Sequence, residues 1–249
     1  MRFQDRVAIV TGGGRGIGEG YSKALAAEGA KVVVADLIDE NAERVAKEIQ
    51  ADGGEATPVH VDVADAQSAI DMAAAAIAAY GGIDHLVNNA GFMHNMKNEP
   101  LITCDLDYYR RVIDVNLNGA LHCTRAVYSS MAERGGGSIV NQSSTAAWMN
   151  AGYYCLSKAA NNSLTACLAA ELGPMNIRIN AIAPGPTDTE ALHSVTPDEI
   201  MGMLTAAMAI KRLGTPEDMA GTVLFLLSDA CPWLTGQIIA VDGGGTVRL

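Results

Sequence analysis

The chain has 249 residues, 49% of them hydrophobic, and a formal net charge of −11, a length that allows one well-cored domain across residues 1–249 and a charge that argues against nucleic acid and anionic membrane surfaces as partners. Its apolar runs are shorter than a membrane span, and Met1–Arg6 leads straight into strand-like residues, so no secretory leader is expected. Five scattered cysteines (Cys104, Cys123, Cys155, Cys167, Cys231) without a C-x-x-C spacing fit reduced thiols in a cytoplasmic protein, with no disulfide framework and no metal site.

Apolar runs of strand length alternate with longer helical patterns. Val7–Val10 reads as the first strand and Gly16–Glu28 as a helix; Lys31–Ala35 and Asp39–Ala51 repeat the pair. Ala56–Val61, the alanine-rich helix Ala66–Tyr80 and the strand Ile83–Val87 follow. Helices are predicted over Leu106–Asn116 and Ala120–Glu133, then a strand at Ser138–Asn141, a long helix at Gly152–Leu172 and a strand at Ile177–Ile182. Pro184–Lys211 is the least regular stretch and reads as a flap over a site; Pro216–Ser228 and Gln237–Val241 close the chain as helix and strand. This alternation predicts an α/β fold of Rossmann type: a doubly wound parallel sheet of about seven strands with helices on both faces, in three layers.

The glycine run at residues 12–14, with Arg15, Gly16, Ile17 and Gly18, joins the first strand to the first helix. In that position glycines permit a tight turn, and the helix N-terminus offers free N–H groups to a pyrophosphate. Asp36 ends the second strand, where a carboxylate reaches the adenosine ribose. It accepts hydrogen bonds from free hydroxyls and repels a 2′-phosphate, which favours NAD over NADP, although the Arg15 guanidinium could pair with a phosphate.

Tyr154 and Lys158 stand four residues apart, so a helix presents both on one face. An ammonium near a phenol favours the phenolate; bringing the phenol from about 10 to about 7 takes about 4 kcal/mol. A tyrosine tuned this way removes a proton from an alcohol or returns one to a ketone. Tyr153 is a neighbouring phenol, but four residues on from it stands Ser157, not a lysine.

Taken together, these residues resemble the short-chain dehydrogenase/reductase family from Arg6 to about Gly245. Asp62 and Val63 match its adenine contact, and the run Asn88, Asn89, Ala90, Gly91 matches its N-N-A-G. Tyr154 and Lys158 match Y-x-x-x-K, and Pro184, Gly185, Thr187 and Thr189 fall in its P-G-x-x-x-T-like carboxamide loop. The resemblance implies Tyr154 as general acid/base and Lys158 as the group that lowers its pKa and holds the nicotinamide ribose. It implies Ser144 as donor to the substrate oxygen and Asn116 as the last member of a proton relay. It further implies a homotetramer, a dimer of dimers, with helices 106–133 and 152–172 in the dimer contact; each of these helices carries more than one apolar face. One departure is clear: Ser144 precedes Tyr154 by ten residues, about three fewer than usual, so either one wall of the substrate pocket is cut back or the serine role is shared differently.

Pocket candidates are 91–95, Gln142, Trp148, Met149, Asn150, Tyr153 and the flap. No arginine or lysine stands out among them, and Trp148 with Met93 and Met149 points to an apolar or mixed pocket. The expected substrate is a small-molecule secondary alcohol or its ketone, cyclic or polyol-like. Two other functions compete: a 3-oxoacyl thioester reductase, which predicts NADPH use and a basic docking patch, and a non-catalytic cofactor-sensing regulator.

Overall fold

The computed structural model describes residues 1–97, 99–149 and 151–246. Seven strands form one parallel sheet: β1 (Val7–Thr11), β2 (Lys31–Asp36), β3 (Glu55–His60), β4 (His85–Asn88), β5 (Gly137–Gln142), β6 (Ile177–Pro184) and β7 (Ile238–Val241). Their order is β3-β2-β1-β4-β5-β6-β7. The doubly wound architecture read from the strand–helix alternation is the one observed.

Side-chain alternation along the strands splits the core in two. Val32 and Val34 of β2 and Val140 of β5 face a layer made by α1 (Gly16–Ala27), α2 (Asp39–Ala51) and α9 (Pro216–Leu227). Val33, Ala35 and Ile139 face the opposite layer, made by α3 (Ala66–Tyr80), α5 (Gly119–Glu133) and α6 (Gly152–Leu172). Both faces are covered, so the strands read as continuous apolar runs.

Most ends shift by a residue or two, and three differences from expectation bear on the site. β4 begins at His85, because Ile83 and Asp84 belong to the approach: the Asp84 carboxylate turns aside to accept Val7 N–H at 2.8 Å. The two helices read at 106–116 and 120–133 are α4 (Leu106–Ile113) and α5, joined without a break by a five-residue π turn, Asp114–Asn118. The stretch 184–211 is only partly irregular. It holds α7 (Glu190–His193), capped by Thr189 Oγ1, and α8 (Asp198–Ala207), which starts directly after Pro197.

His85 is buried between the sheet and α9. Its Nδ1 lies 2.8 Å from Ser138 Oγ, whose own proton goes to Leu227 O at 2.7 Å, so Nδ1–H is the donor. Burial pulls this imidazole down to about 4. A base whose folded pKa is depressed loses stability as pH falls from its unfolded value near 6.5 through the folded one. We expect up to about 3 kcal/mol of acid destabilisation between pH 6.5 and 4 from this residue. Thermal melts across that range should fall less steeply for His85→Asn; parallel curves would assign the acid sensitivity elsewhere.

Candidate active site

The strand order reverses between β1 and β4, and in such sheets the crevice at the carboxyl ends of the strands is where ligands bind. A cavity of about 1370 Å³ opens there. It is lined by Gly12, Arg15, Gly16, Ile17, Gly18, Asp36, Asp62 and Val63, by Asn89, Ala90 and Gly91, and by Ser144, Tyr154, Lys158, Pro184, Gly185, Thr187 and Thr189, with Thr189 Cγ2 3.7 Å from where a Gly16 Cβ would stand. The chain thus gathers residues from positions 12 to 189 around one space.

The glycine loop is built for close approach. A Cβ on Gly18 would lie 2.1 Å from Gly12 O, and a side chain on Gly12, at φ +60°, would be strained and would meet Ala90 Cα at 3.0 Å. Asn89 pins this loop to β4, donating from Nδ2 to Thr11 O at 2.9 Å and Gly12 O at 3.0 Å. Among the described residues no side chain caps α1 at Arg15, so its first N–H groups have no side-chain acceptor. Asp36 borders the cavity and also holds the turn: its carboxylate accepts Gly14 N–H at 3.0 Å and Ile38 N–H at 3.1 Å. Both readings of Asp36, ribose contact and turn brace, are compatible with this geometry.

Tyr154 and Lys158 stand one turn apart on α6, with Nζ 5.8 Å from the phenol ring centroid. Lys158 is 3% exposed and donates to Gln142 O at 2.8 Å. Burial pushes the Tyr154 phenol up to about 12, against a hydrogen bond with Ser144 that pulls it down. Burial also pulls the Lys158 ammonium down to about 8. In the protein alone the lysine does not bring the phenol toward 7; that shift needs a second positive charge beside the pair, such as an oxidised nicotinamide ring. Desolvation disfavours the charged form of both groups, and one Nζ proton is held by the Gln142 carbonyl. Ser144 accepts Ala146 N–H at 3.1 Å and shares its hydroxyl with the Tyr154 phenol.

Asn116 is buried behind the cavity, in the middle of the π turn. Its Oδ1 accepts Phe92 N–H at 2.6 Å, its Nδ2 donates to Ser157 Oγ at 3.2 Å, and its carbonyl accepts from Asn161 Nδ2 at 3.1 Å. It therefore ties the loop after β4 to α6 and does not border the cavity itself.

Three substrate expectations need correction. Tyr153 does not face the cavity: it is 1% exposed, stacks edgewise on Tyr108 at 5.7 Å and donates its hydroxyl to Lys97 O, because its place on α6 turns it toward α4. Gln142 shares the strand face of Val140, so its side chain turns to the α1 layer and accepts the Tyr21 hydroxyl at 2.9 Å; what it gives the site is its carbonyl. Trp148 ends a 3₁₀ turn (Thr145–Trp148) and is not among the described residues that line the cavity. Asn150 lies outside the described residues.

Other groups at the cavity were missed. Arg110 and Arg111 of α4 border it, Arg110 paired with Asp107 at 2.5 Å and Arg111 over the Phe92 ring at 5.3 Å. The sequence carried no signal for them, since they precede the Asn116 motif on a helix read only as packing. Leu192, Val195, Leu204 and Met208 also line it; the helical spacing of the stretch after Pro184 could have found these.

A Rossmann-type sheet with a glycine loop and a Tyr–Lys pair at one cleft defines a class of nucleotide-dependent oxidoreductases. A family described as enoyl-(acyl carrier protein) reductase matches residues 12–246. An uncharacterized oxidoreductase of Mycobacterium tuberculosis is 56% identical over 246 residues, 99% of each chain. The 7alpha-hydroxysteroid dehydrogenase of Escherichia coli K12 is 39% identical, covering 100% of this chain and 97% of its own. A solved 7 alpha-hydroxysteroid dehydrogenase, complexed with NADH and 7-oxo glycochenodeoxycholic acid, superposes with a TM-score of 0.94 at 39% identity, over 100% of this chain and 97% of that one. The chain belongs to the short-chain dehydrogenase/reductase family, and it is an oxidoreductase of that family. Among the described residues no helix is long and apolar enough to cross a membrane.

Proposed function

We propose that this chain is an NAD-dependent dehydrogenase that interconverts a secondary alcohol and its ketone. The observation that carries the reading is that Ser144, Tyr154 and Lys158 line the same cavity as the glycine loop and Asp36. The relatives named as hydroxysteroid dehydrogenases support the alcohol–ketone class. The dinucleotide fits on the chain's own features: the glycine cradle, the uncapped α1 N-terminus and the Asp36 carboxylate. Asp62 and Val63 border the adenine end, and Pro184, Gly185, Thr187 and Thr189 the nicotinamide end.

Bound NAD supplies the hydride acceptor. Ser144, hydrogen-bonded to the Tyr154 phenol in the protein alone, turns its hydroxyl to donate to the substrate oxygen. Tyr154 takes the alcohol proton during oxidation and returns it during reduction. Lys158 keeps two ammonium protons beyond its bond to Gln142 O, for the nicotinamide ribose and the phenolate. Asn116 holds the loop–helix junction through which the proton reaches solvent.

A 3-oxoacyl thioester reductase is disfavoured by Asp36 and by a charge of −11, which offers no basic dock for an acidic carrier. A cofactor sensor does not need the assembled Ser144–Tyr154–Lys158 set. We further assign one catalytic domain over residues 1–249, a cytoplasmic location and a homotetramer, supported by apolar groups left exposed on α5, α6 and α9 (Tyr128, Leu156, Phe225) and by Trp233 at 99% exposure.

The reading is tested by NADH formation over a panel of secondary alcohols. Asp36→Ala should shift the NAD/NADP ratio of kcat/KM toward NADP by about tenfold or more, the loss of roughly 1.4 kcal/mol of discrimination. An unchanged ratio would remove Asp36 from the ribose and leave it a turn brace.

A further inference from the structure

We infer that Tyr153, which faces away from the cavity, is a positioning residue for it: with Tyr108 it clamps both backbone groups of Lys97 and so holds the loop 92–97 as a wall of the substrate space. The inference rests on the dehydrogenase reading for the reaction; the clamp itself is geometric. Adjacent residues on a helix point about 100° apart, so Tyr154 faces the cavity while Tyr153 faces α4. There it meets Tyr108 in the first turn of α4, whose N–H is held by the capping carboxylate of Asp105 at 2.8 Å. The two phenol rings stack edgewise at 5.7 Å, and Phe92 stacks edgewise on Tyr108, also at 5.7 Å. Their hydroxyls grip one residue. Lys97 N–H donates to Tyr108 Oη at 2.9 Å, and Lys97 O accepts the Tyr153 hydroxyl. Burial pushes the Tyr153 phenol up, so it keeps the proton that it donates. Among the described residues no other group bonds the Lys97 backbone.

What the clamp holds is a loop that borders the cavity. The loop starts beside Lys158, since a Cβ on Gly91 would stand 3.6 Å from its Nζ. Phe92 N–H is tied to Asn116 Oδ1 at one end, and Lys97 to the two phenols at the other. Between these anchors the chain turns on itself: Met96 N–H donates to Met93 O at 3.0 Å, with Asn95 at φ +52°. Asn95 N–H reaches the flap at Ser194 Oγ, 3.0 Å away. Phe92, Met93, His94 and Met96 all line the cavity. In the shortened segment between Ser144 and Tyr154, Met149 alone among the described lining residues is larger than threonine, so the loop supplies bulk that this segment lacks. Neither Tyr108 nor Tyr153 lines the cavity, so the clamp acts through the loop.

The test is limited trypsinolysis of the full chain, with mass spectrometry to separate cleavage after Lys97 from cleavage elsewhere. Cleavage tracks the open fraction of a loop when opening and closing are fast. Tyr153→Phe keeps the ring stack and removes the donor to Lys97 O. It should speed cleavage after Lys97 by about tenfold, the effect of one net hydrogen bond, and leave the other sites and the Kd for NADH within about twofold. Tyr108→Phe removes the acceptor for Lys97 N–H and is the independent second variant, with the same expectation. Surface loops open at free energies near zero, so the shift reaches the competent fraction: KM for an alcohol should rise about threefold or more, with kcat within about twofold. Unchanged cleavage after Lys97 in both variants overturns the clamp, and faster cleavage at unchanged KM overturns the loop as a substrate wall. Equal acceleration at every site, or a fall in kcat at unchanged KM, removes the positioning role. A wild type that oxidises no alcohol sinks the dehydrogenase reading alone, and the proteolysis then decides the clamp.

Discussion

Tyr154→Phe is expected to lower kcat by about 10³-fold or more while leaving the dissociation constant for NAD within about twofold. Positioned acid–base catalysis contributes about 10²–10⁴, and no other phenol can replace this one. Tyr153, its neighbour, is buried against Tyr108 with its hydroxyl spent on Lys97 O. The substitution keeps the ring and removes only the oxygen that meets Ser144, so the glycine loop and Asp36 are untouched. Steady-state kinetics with a fluorescence titration of NADH decides it: retained turnover would end the role given to Tyr154. Because burial holds the phenol at about 12, oxidation in the wild type should also quicken with rising pH across the alkaline range.

Lys158→Met is expected to abolish most activity, by about 10²-fold or more, and at the same time to raise the Tm by roughly 2–6 °C. Burial lowers the ammonium from 10.5 to about 8. A base depressed in the folded state destabilises the fold at neutral pH, and that penalty is relieved as pH rises through 8 toward 10.5. The difference is about 3 kcal/mol. Methionine matches the length of the stem and carries no charge; it gives up the bond to Gln142 O, which costs about 1–2 kcal/mol. The balance is a more stable and less active protein, the usual relation between a functional charge and the fold around it. Differential scanning calorimetry at pH 7 measures it, and a lower Tm would show that the Gln142 bond outweighs the desolvation.

Much of the fold was legible because each β–α repeat announces itself by a period and a length. Elements hid where several signals collided. In 184–211, Pro184, Pro186 and Pro197 with Gly185 mark a loop, and they obscured two helices that start just beyond a Thr cap and a proline. Within the site, residue type was easier to read than direction. Tyr153 and Tyr154 are adjacent and identical in kind; only Lys158, placed a turn beyond Tyr154 and not beyond Tyr153, separated them. Gln142 sits on a strand buried on both faces, where apolar runs conceal which way a side chain turns. The state of the Tyr–Lys pair was not legible at all. It depends on how much water the fold removes, and spacing on a helix says nothing of that.

The π turn at Asp114–Asn118 has a mechanical meaning. It holds about one residue more than an α turn would, so the helix phase slips by roughly 100° between its two halves. The first half aims Tyr108 at Tyr153, at the start of the helix that carries Tyr154; the second aims Cys123, Val127 and Met131 into the core under the sheet. A single amphipathic stripe drawn through 106–133 therefore cannot stay in register, which is why the segment read as having more than one apolar face. The turn is a rotary coupling. It lets the cleft-facing half be indexed against the helix that carries Tyr154 while the sheet-facing half stays locked, with Asn116 as the pin at the joint.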